Sequence, residues 1–482
     1  MPESKIHYPI LLEEVARVTA LAPPLAVIEG FTSVVPGEIV VFENDTIGQI
    51  LSVNTQAARC MLLTNESPVL QAKVFRTGQQ LSIPVSSQML GHVYNPLGLN
   101  ETTEDWQLQN IDCPPPELVS RTRINRQLET GVTVVDSILP IGHGQRQLIT
   151  GDAKTGKTAF LLSTALNQAK AGTVVIYTLI GKRNEDVQKV VKYFSQNEIM
   201  DKVVIVASTP TDSASVITLT PFTALTIAEY FRDLGQDTLV ILDDLSTHAK
   251  FYREVALLEK KFPGRDSYPG DVFYTHARLL ERAGCFKPGV AITCLPVAET
   301  TDGDLTDFIV SNLISITDGH LFFDARQFAS GVLPAIDTTL SVTRVGKQTQ
   351  SALGRSLNHD LTSFLNQFYK ANQLTHFGGE LSESSRKRLV KGAALQQILS
   401  QDRDQSLTTS AQHLLLGMAC KEWLTNKTSD DIDEIKQRVS TALRREPTKS
   451  QLVALLEQAD SLDKLLELLT LNQDLILELC KT

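Results

Sequence analysis

The chain has 482 residues, a length that suggests about three domains. Its formal net charge of −10 argues against a general nucleic-acid binder, which would carry a broadly basic surface. Charged residues at 21% and aromatics at 6% match an ordinary soluble composition, with no low-complexity tract and no internal repeat.

The cysteines at positions 60, 113, 285, 294, 420 and 480 show no C-x-x-C spacing and no histidine at zinc-finger distance. They read as reduced thiols, not as a disulfide framework or a metal site. The N-terminal segment has neither a basic leader nor a long apolar run, so no targeting peptide and no bilayer span are expected. Any membrane attachment then runs through other subunits.

In chain order, residues 15–20, 25–30, 38–44, 47–53, 59–64 and 79–85 are short Val/Ile/Leu-rich runs separated by Gly, Asn, Pro and Ser. That spacing predicts a small barrel over 1–88. Residues 100–120 are polar and contain Pro114-Pro115-Pro116, which suggests a linker. Apolar runs at 146–151, 173–181, 202–208, 238–244 and 289–297 then alternate with helical stretches. This is the pattern of an α/β domain with a mostly parallel sheet, placed at 89–355. Beyond 355 the strands vanish and apolar residues recur at i, i+3, i+4, as in 453–469. A helical domain is expected over 356–482.

The strongest local signal is Gly151-Asp152-Ala153-Lys154-Thr155-Gly156-Lys157-Thr158, with Ala159 opening the helix behind it. A strand precedes it and a helix follows, as a G-x-x-x-x-G-K-[ST] phosphate loop requires. The glycines let backbone N–H groups face a phosphate, Lys157 neutralises the β- and γ-phosphates, and the Thr158 hydroxyl suits Mg²⁺. A second element is the strand 238–244, which ends in Asp243-Asp244. Asp243 is the expected metal-side carboxylate, and Asp244 the expected cap of the next helix.

These features describe a nucleotide site on a P-loop fold without naming a family. The run from Pro263-Gly264-Arg265-Asp266 through Tyr268-Pro269-Gly270-Asp271 to Leu280-Glu281-Arg282-Ala283 resembles the alpha subunits of F-type ATP synthases. Glu129-Thr130-Gly131, Val135-Asp136-Ser137, Pro140-Ile141-Gly142, Gly144-Gln145-Arg146, Asn95-Pro96-Leu97-Gly98, Ser315-Ile316-Thr317-Asp318-Gly319 and Pro334-Ala335-Ile336 extend the likeness, which covers about residues 12–400 well. The resemblance implies an N-terminal β-barrel, a central RecA-like P-loop domain and a C-terminal helical bundle. It also implies an ATP/ADP site with Mg²⁺, in which Glu299 lies near the metal and Gln401 near the adenine, with Arg403 or Gln405 as a second base contact.

Arg344, in Ser341-Val342-Thr343-Arg344-Val345-Gly346, is similar to the arginine that such subunits insert into the adjacent catalytic site. The implied partners are beta subunits in an alternating alpha3-beta3 hexamer, a central gamma stalk and a peripheral stalk, on the cytoplasmic face of a bacterial inner membrane. The complex would couple proton or sodium transport to ATP synthesis or hydrolysis. The sequence departs from the family pattern at Leu333, where an arginine is common, at Ala153-Lys154, and at Thr343, where serine is usual.

One position separates catalytic from non-catalytic subunits. Hydrolysis needs a group that orients the attacking water. Catalytic relatives carry glutamate there in a Gly-Glu-Arg motif, and alpha subunits carry glutamine. Here the residues are Gly181-Lys182-Arg183, with Glu185 expected as a first-turn carboxylate of the next helix. A lysine cannot replace the carboxylate, so the protein reads as non-catalytic. The alternatives are a self-sufficient hexameric motor of the secretion or RNA-translocase type, which Lys182 disfavours, and a structural protein that keeps a nucleotide site by descent.

Overall fold

The computed structural model describes residues 8–480 except 9, 11–13, 65, 99–105, 377–382, 403–404, 426 and 444–447, and only the backbone of 372–376, 383–387, 448–450 and 479–480. The protein forms two compact units. The first comprises residues 1–122, 148–150 and 169–317, and the second comprises 123–147, 151–168 and 318–482.

The first unit opens with a closed barrel of β1 (Val15–Ala22), β2 (Leu25–Glu29), β3 (Glu38–Phe42), β4 (Ile47–Val53), β5 (Ala58–Leu62) and β6 (Lys73–Gln80), in the order β1-β2-β5-β4-β3-β6. Every neighbouring pair is antiparallel, and β6 closes on β1. Closure removes the free edges that would otherwise invite aggregation. Val18, Ile28, Val40, Phe42, Ile50, Leu62 and Val74 fill the interior.

The sixth barrel strand does not lie at 79–85 as the apolar pattern suggests. It spans Lys73–Gln80, and a separate strand, Ser82–Val85, pairs with Gln107–Asn110. The sixth strand is hard to read because its charge points inward. Arg76 is buried, with its guanidinium held by Glu38 at 2.9 Å and Glu14 at 2.8 Å. A hydrophobicity pattern cannot distinguish such a paired charge from a loop residue.

The remainder of this unit is an α/β layer. Strands Val290–Glu299, Thr238–Asp243, Val174–Leu179 and Val203–Ala207 lie side by side and parallel, with Val93–Tyr94 added parallel at the edge. Residues 148–150 join the sheet beside Val290–Glu299. Nearly every residue of the central strands is buried, which explains their unbroken apolar runs. The helix Ala214–Asp233 has the length and composition of a membrane span, but it is buried in the core of this unit. It is apolar all round because it is enclosed all round.

The 263–283 motif locks this core. Arg282 is fully buried and bidentate to Glu229 at 2.9 and 2.6 Å, and it also donates to Thr226 Oγ1 and the Ile111 carbonyl.

The second unit holds the short helix Thr133–Ile138, residues 157–168 of the helix Lys157–Lys170, and the antiparallel pair Gly319–Phe323 and Val342–Thr343. From Ala352 onward the described residues contain helices and no strand. The run 453–469 is two helices, because Thr448–Glu457 stops and Leu462–Leu471 restarts after Ser461. Cys60, Cys113, Cys285, Cys294 and Cys420 are free thiols, and the Cys480 side chain lies outside the described residues.

His276 of the 263–283 motif meets His248 in the core of the first unit, with Nε2 and Nδ1 at 3.1 Å; the other His248 nitrogen faces the Thr218 carbonyl at 3.1 Å. Burial pushes the His248 pKa down to about 4 and that of His276 well below its usual value. Between pH 4 and 6.5 the unfolded state therefore binds more protons, and stability falls as pH drops through that window. Thermal melts should lose about 2 kcal/mol to His248 alone between pH 7 and pH 5. The variant His248→Gln should show a shallower pH slope. An unchanged slope would contradict a buried neutral pair.

Candidate functional site

The phosphate loop turns out of the strand Gln147–Gly151 and into the helix Lys157–Lys170. Gly151 has φ +144°, and a Cβ there would sit 2.4 Å from the Phe323 carbonyl oxygen, so only glycine fits. Lys154 and Gly156 also have positive φ, which curls the backbone into an anion-binding nest. Lys157 is buried and folds back on the loop, donating to the carbonyls of Gly151 at 2.7 Å and Asp152 at 2.6 Å. Thr155 Oγ1 also donates to the Asp152 carbonyl. Thr158 is exposed in the helix's first turn, and Ala159 follows it.

Beside the loop lies an apolar cavity of about 160 Å³, lined by Val132, Thr155, Gly156, Ala159, Phe160, Phe328, Leu333, Pro334, Ala335, Gln401 and Gln405, among others. All of these residues belong to the second unit. Leu333, where relatives carry arginine, contributes apolar surface and accepts a backbone bond from Gln401 at 2.8 Å. The Gln401 amide is fully engaged within the protein. It donates to the carbonyls of Gly131 and Gln405 at 3.0 Å and accepts from Thr133 N. Gln401 thus shapes the wall, with its amide hydrogens and one acceptor position of its oxygen used within the protein. Gln405 Oε1 is buried in the lining without a partner, and Arg403 lies outside the described residues.

The wall itself hangs on Asp136. Its carboxylate accepts from Thr130 N and Oγ1 at 2.9 and 2.7 Å, from Gly131 N at 2.9 Å and from Gln412 Nε2 at 2.9 Å. Gln350 and Asn358 reach the carbonyls of 136–138 from the helical region. Asn167 and Gln168 hold the Glu129 carbonyl. The sequence signal for this hub is present in the blocks 129–131 and 135–137, but nothing in one sequence reveals that they bond to each other and to Gln412.

Arg344 is exposed just beyond the short strand Val342–Thr343. Its backbone N–H donates to the Asp318 carbonyl, and Asp318 is held bidentately by Arg146 at 2.8 and 3.0 Å. Thr343 Oγ1 donates to the Pro140 carbonyl at 2.8 Å, so its hydroxyl still makes an anchoring bond where serine is usual. A Cβ at position 346 would lie 1.6 Å from that same oxygen, which makes Gly346 obligatory.

Lys182, Asp243, Asp244 and Glu299 belong to the first unit. Asp243 ends its strand in register with Leu179, so the turn after Leu179 brings Lys182 to it. The Lys182 ammonium is 3.0 Å from Asp243 Oδ1 and 3.2 Å from Asp244 Oδ2. Burial alone would lower the Lys182 pKa, but Asp243 and then Asp244 outweigh it and keep the ammonium charged. Asp244 caps the helix Leu245–Leu258 through Thr247, as expected. Glu185 is exposed in the first turn of its helix. Glu299 is exposed at a strand end.

Of the residues expected on the Mg²⁺ side, Thr158 belongs to the second unit, and Asp243 and Glu299 belong to the first. Asp243 is engaged by a cation of the protein itself, and no cluster of three metal-ligating side chains occurs among the described residues.

A phosphate loop at a strand–helix turn, with an apolar cavity at its side, defines a P-loop nucleotide-binding protein. The family model for the nucleotide-binding domain of the ATP synthase alpha/beta family matches residues 131–343, and the model for the C-terminal domain of the ATP synthase alpha/beta chain matches 350–470. The chain belongs to this ATP synthase alpha/beta family. It is 37% identical over 422 residues to the ATP synthase subunit alpha of Clostridium botulinum (strain Eklund 17B / Type B), covering 85% of this chain and 83% of that one. It is 35% identical to ATP synthase subunit alpha 1 of Dinoroseobacter shibae, over 90% of this chain and 86% of that one. A sodium-ion-specific alpha subunit of Acetobacterium woodii is 34% identical, over 88% and 86%.

Burial raises the Asp136 pKa to about 6, against the pull of the Gln412 and Thr130 hydrogen bonds. Asp136→Asn presents an amide to at least one donor that needs an acceptor. It should destabilise the protein by about 1–3 kcal/mol at pH 7, read by denaturant unfolding. From pH 6 down to pH 4 the gap to wild type should widen, since the folded wild-type carboxyl binds its proton more readily than the unfolded one and the asparagine has none to bind.

Proposed function

We propose that the protein is a non-catalytic alpha-type subunit of a rotary F-type ATP synthase. It holds an adenine nucleotide in its own phosphate loop and completes the catalytic sites of neighbouring beta subunits in an alternating alpha3-beta3 head. A central gamma stalk, a peripheral stalk and a position on the cytoplasmic face of a bacterial inner membrane follow from that assignment, as does coupling to proton or sodium transport.

The observation that carries the reading is Lys182. The phosphate loop and cavity suit a nucleotide, yet the position that would orient an attacking water carries an ammonium paired to Asp243. An ammonium has no lone pair for a water proton, so hydrolysis lacks its positioning group. Arg344 supports the second half of the proposal. It is exposed on a turn anchored through Thr343, Gly346 and Asp318, and a guanidinium offers a planar fork of donors to phosphoryl oxygens.

The purified protein should bind ATP and release almost no phosphate. Lys157→Ala should abolish that binding, because the phosphates lose their main side-chain counter-charge. Sustained phosphate release by the pure protein, lost in Lys157→Ala, would instead identify a self-sufficient motor.

In an assembled head, Arg344→Ala should lower turnover by about 10³–10⁵ while leaving nucleotide binding at the beta sites largely intact. Arg344→Lys should restore little, since a point charge does not reproduce the fork. Near-normal turnover in Arg344→Ala heads would reduce the residue to an interface contact.

A further inference from the structure

Lys436 is a buried cation far along the chain from the phosphate loop. It lies on the helix Ser429–Ala442, whose first turn is fixed by a capping box between Thr428 and Asp431. Its side chain is only 2% exposed. The ammonium uses all three of its hydrogens within the protein, donating to the Gln397 carbonyl at 2.9 Å, the Ser400 carbonyl at 2.5 Å and Asp433 at 3.0 Å. Burial lowers the Lys436 pKa, against the pull of Asp433 and then of Asp402, a residue of the cavity lining.

Carbonyls at the end of a helix lack intrahelical donors and carry the negative end of its dipole. Gln397 stands in the last turn of the helix Glu383–Leu399, and Ser400 follows that helix, so one cation closes its end. The next residue is Gln401. Its backbone N–H donates to the Leu333 carbonyl at 2.8 Å, and its amide meets Gly131, Thr133 and Gln405. Leu333, Gln401 and Gln405 all line the cavity beside the phosphate loop. Every residue in this chain of contacts belongs to the second unit.

We propose that Lys436 is a positioning residue for the nucleotide slot: by anchoring the Ser400 carbonyl it sets the place of Gln401, and so the shape of the cavity that receives the base. The inference rests on the nucleotide-binding reading above and adds a residue of the helical region that governs affinity without touching the nucleotide. Close packing carries the effect, because a wall without voids cannot shift at one residue alone.

The test is isothermal titration calorimetry on the full-length protein with two ligands, ATP and inorganic tripolyphosphate, the second measured by competition with ATP. Lys436→Met keeps an unbranched stem and removes the three donors. It should raise the dissociation constant for ATP about tenfold and leave that for tripolyphosphate, which has no base, within about twofold of wild type. Lys436→Gln retains a donor and should lose less ATP affinity, again with tripolyphosphate unchanged. It decides the matter should melting curves show that Lys436→Met does not fold. A lysine that only stabilises the fold would lower the melting temperature and leave both dissociation constants of the folded protein as they were. That result, or an equal weakening of both ligands, overturns the proposal while leaving the nucleotide site intact. Failure of the wild type to bind ATP overturns the nucleotide reading itself, and the proposal with it.

Discussion

The cavity beside the phosphate loop depends on one buried carboxylate. Asp136 gathers four donors from Thr130, Gly131 and the distant Gln412, and the segment 130–133, whose Val132 lines the cavity, is held where those bonds put it. Gln401 then engages the same wall from the other side through Gly131 and Thr133. A loop of this length would otherwise be mobile, since fixing each residue costs about 1–2 kcal/mol of backbone entropy. The hydrogen bonds offset that ordering and leave a preformed apolar slot.

The phosphate loop and the acidic strand end at Asp243 are built differently. The phosphate loop keeps every feature that the fold demands. Gly151 cannot change because the Phe323 carbonyl fills the space, and Lys157 stays buried against the loop. At the strand end, Lys182 instead closes Asp243 and Asp244 into an ion cluster. Ion pairs with so little exposure gain from a low local dielectric but pay a desolvation penalty, so they are sensitive to the loss of either partner.

Much of this was legible in the sequence, for identifiable reasons. The five core strands could be read because both of their faces are buried and their residues are uniformly apolar. The phosphate loop could be read because its glycines and lysine sit between a strand and a helix. Asp244 as a cap and Glu185 as a first-turn carboxylate followed from local rules. What could not be read was long-range pairing of polar groups. The inward Arg76 hid the sixth barrel strand, the Gln401 amide meets Gly131 from 270 residues away, and the Lys182–Asp243 contact bridges residues sixty-one apart. Periodicity reports which face is apolar, and it says nothing about which charges meet.

Pro140 lies two residues beyond the short helix Thr133–Ile138 that carries Asp136, and its carbonyl is the seat for Thr343 and the close neighbour of Gly346. The turn bearing Arg344 and the wall of the cavity are therefore fastened to one bracket, the segment 130–140. A bracket of this kind works as a mechanical gauge: displacing the wall must shift the foot of the arginine, or else break the buried bonds that join them, at about 0.5–1.5 kcal/mol apiece.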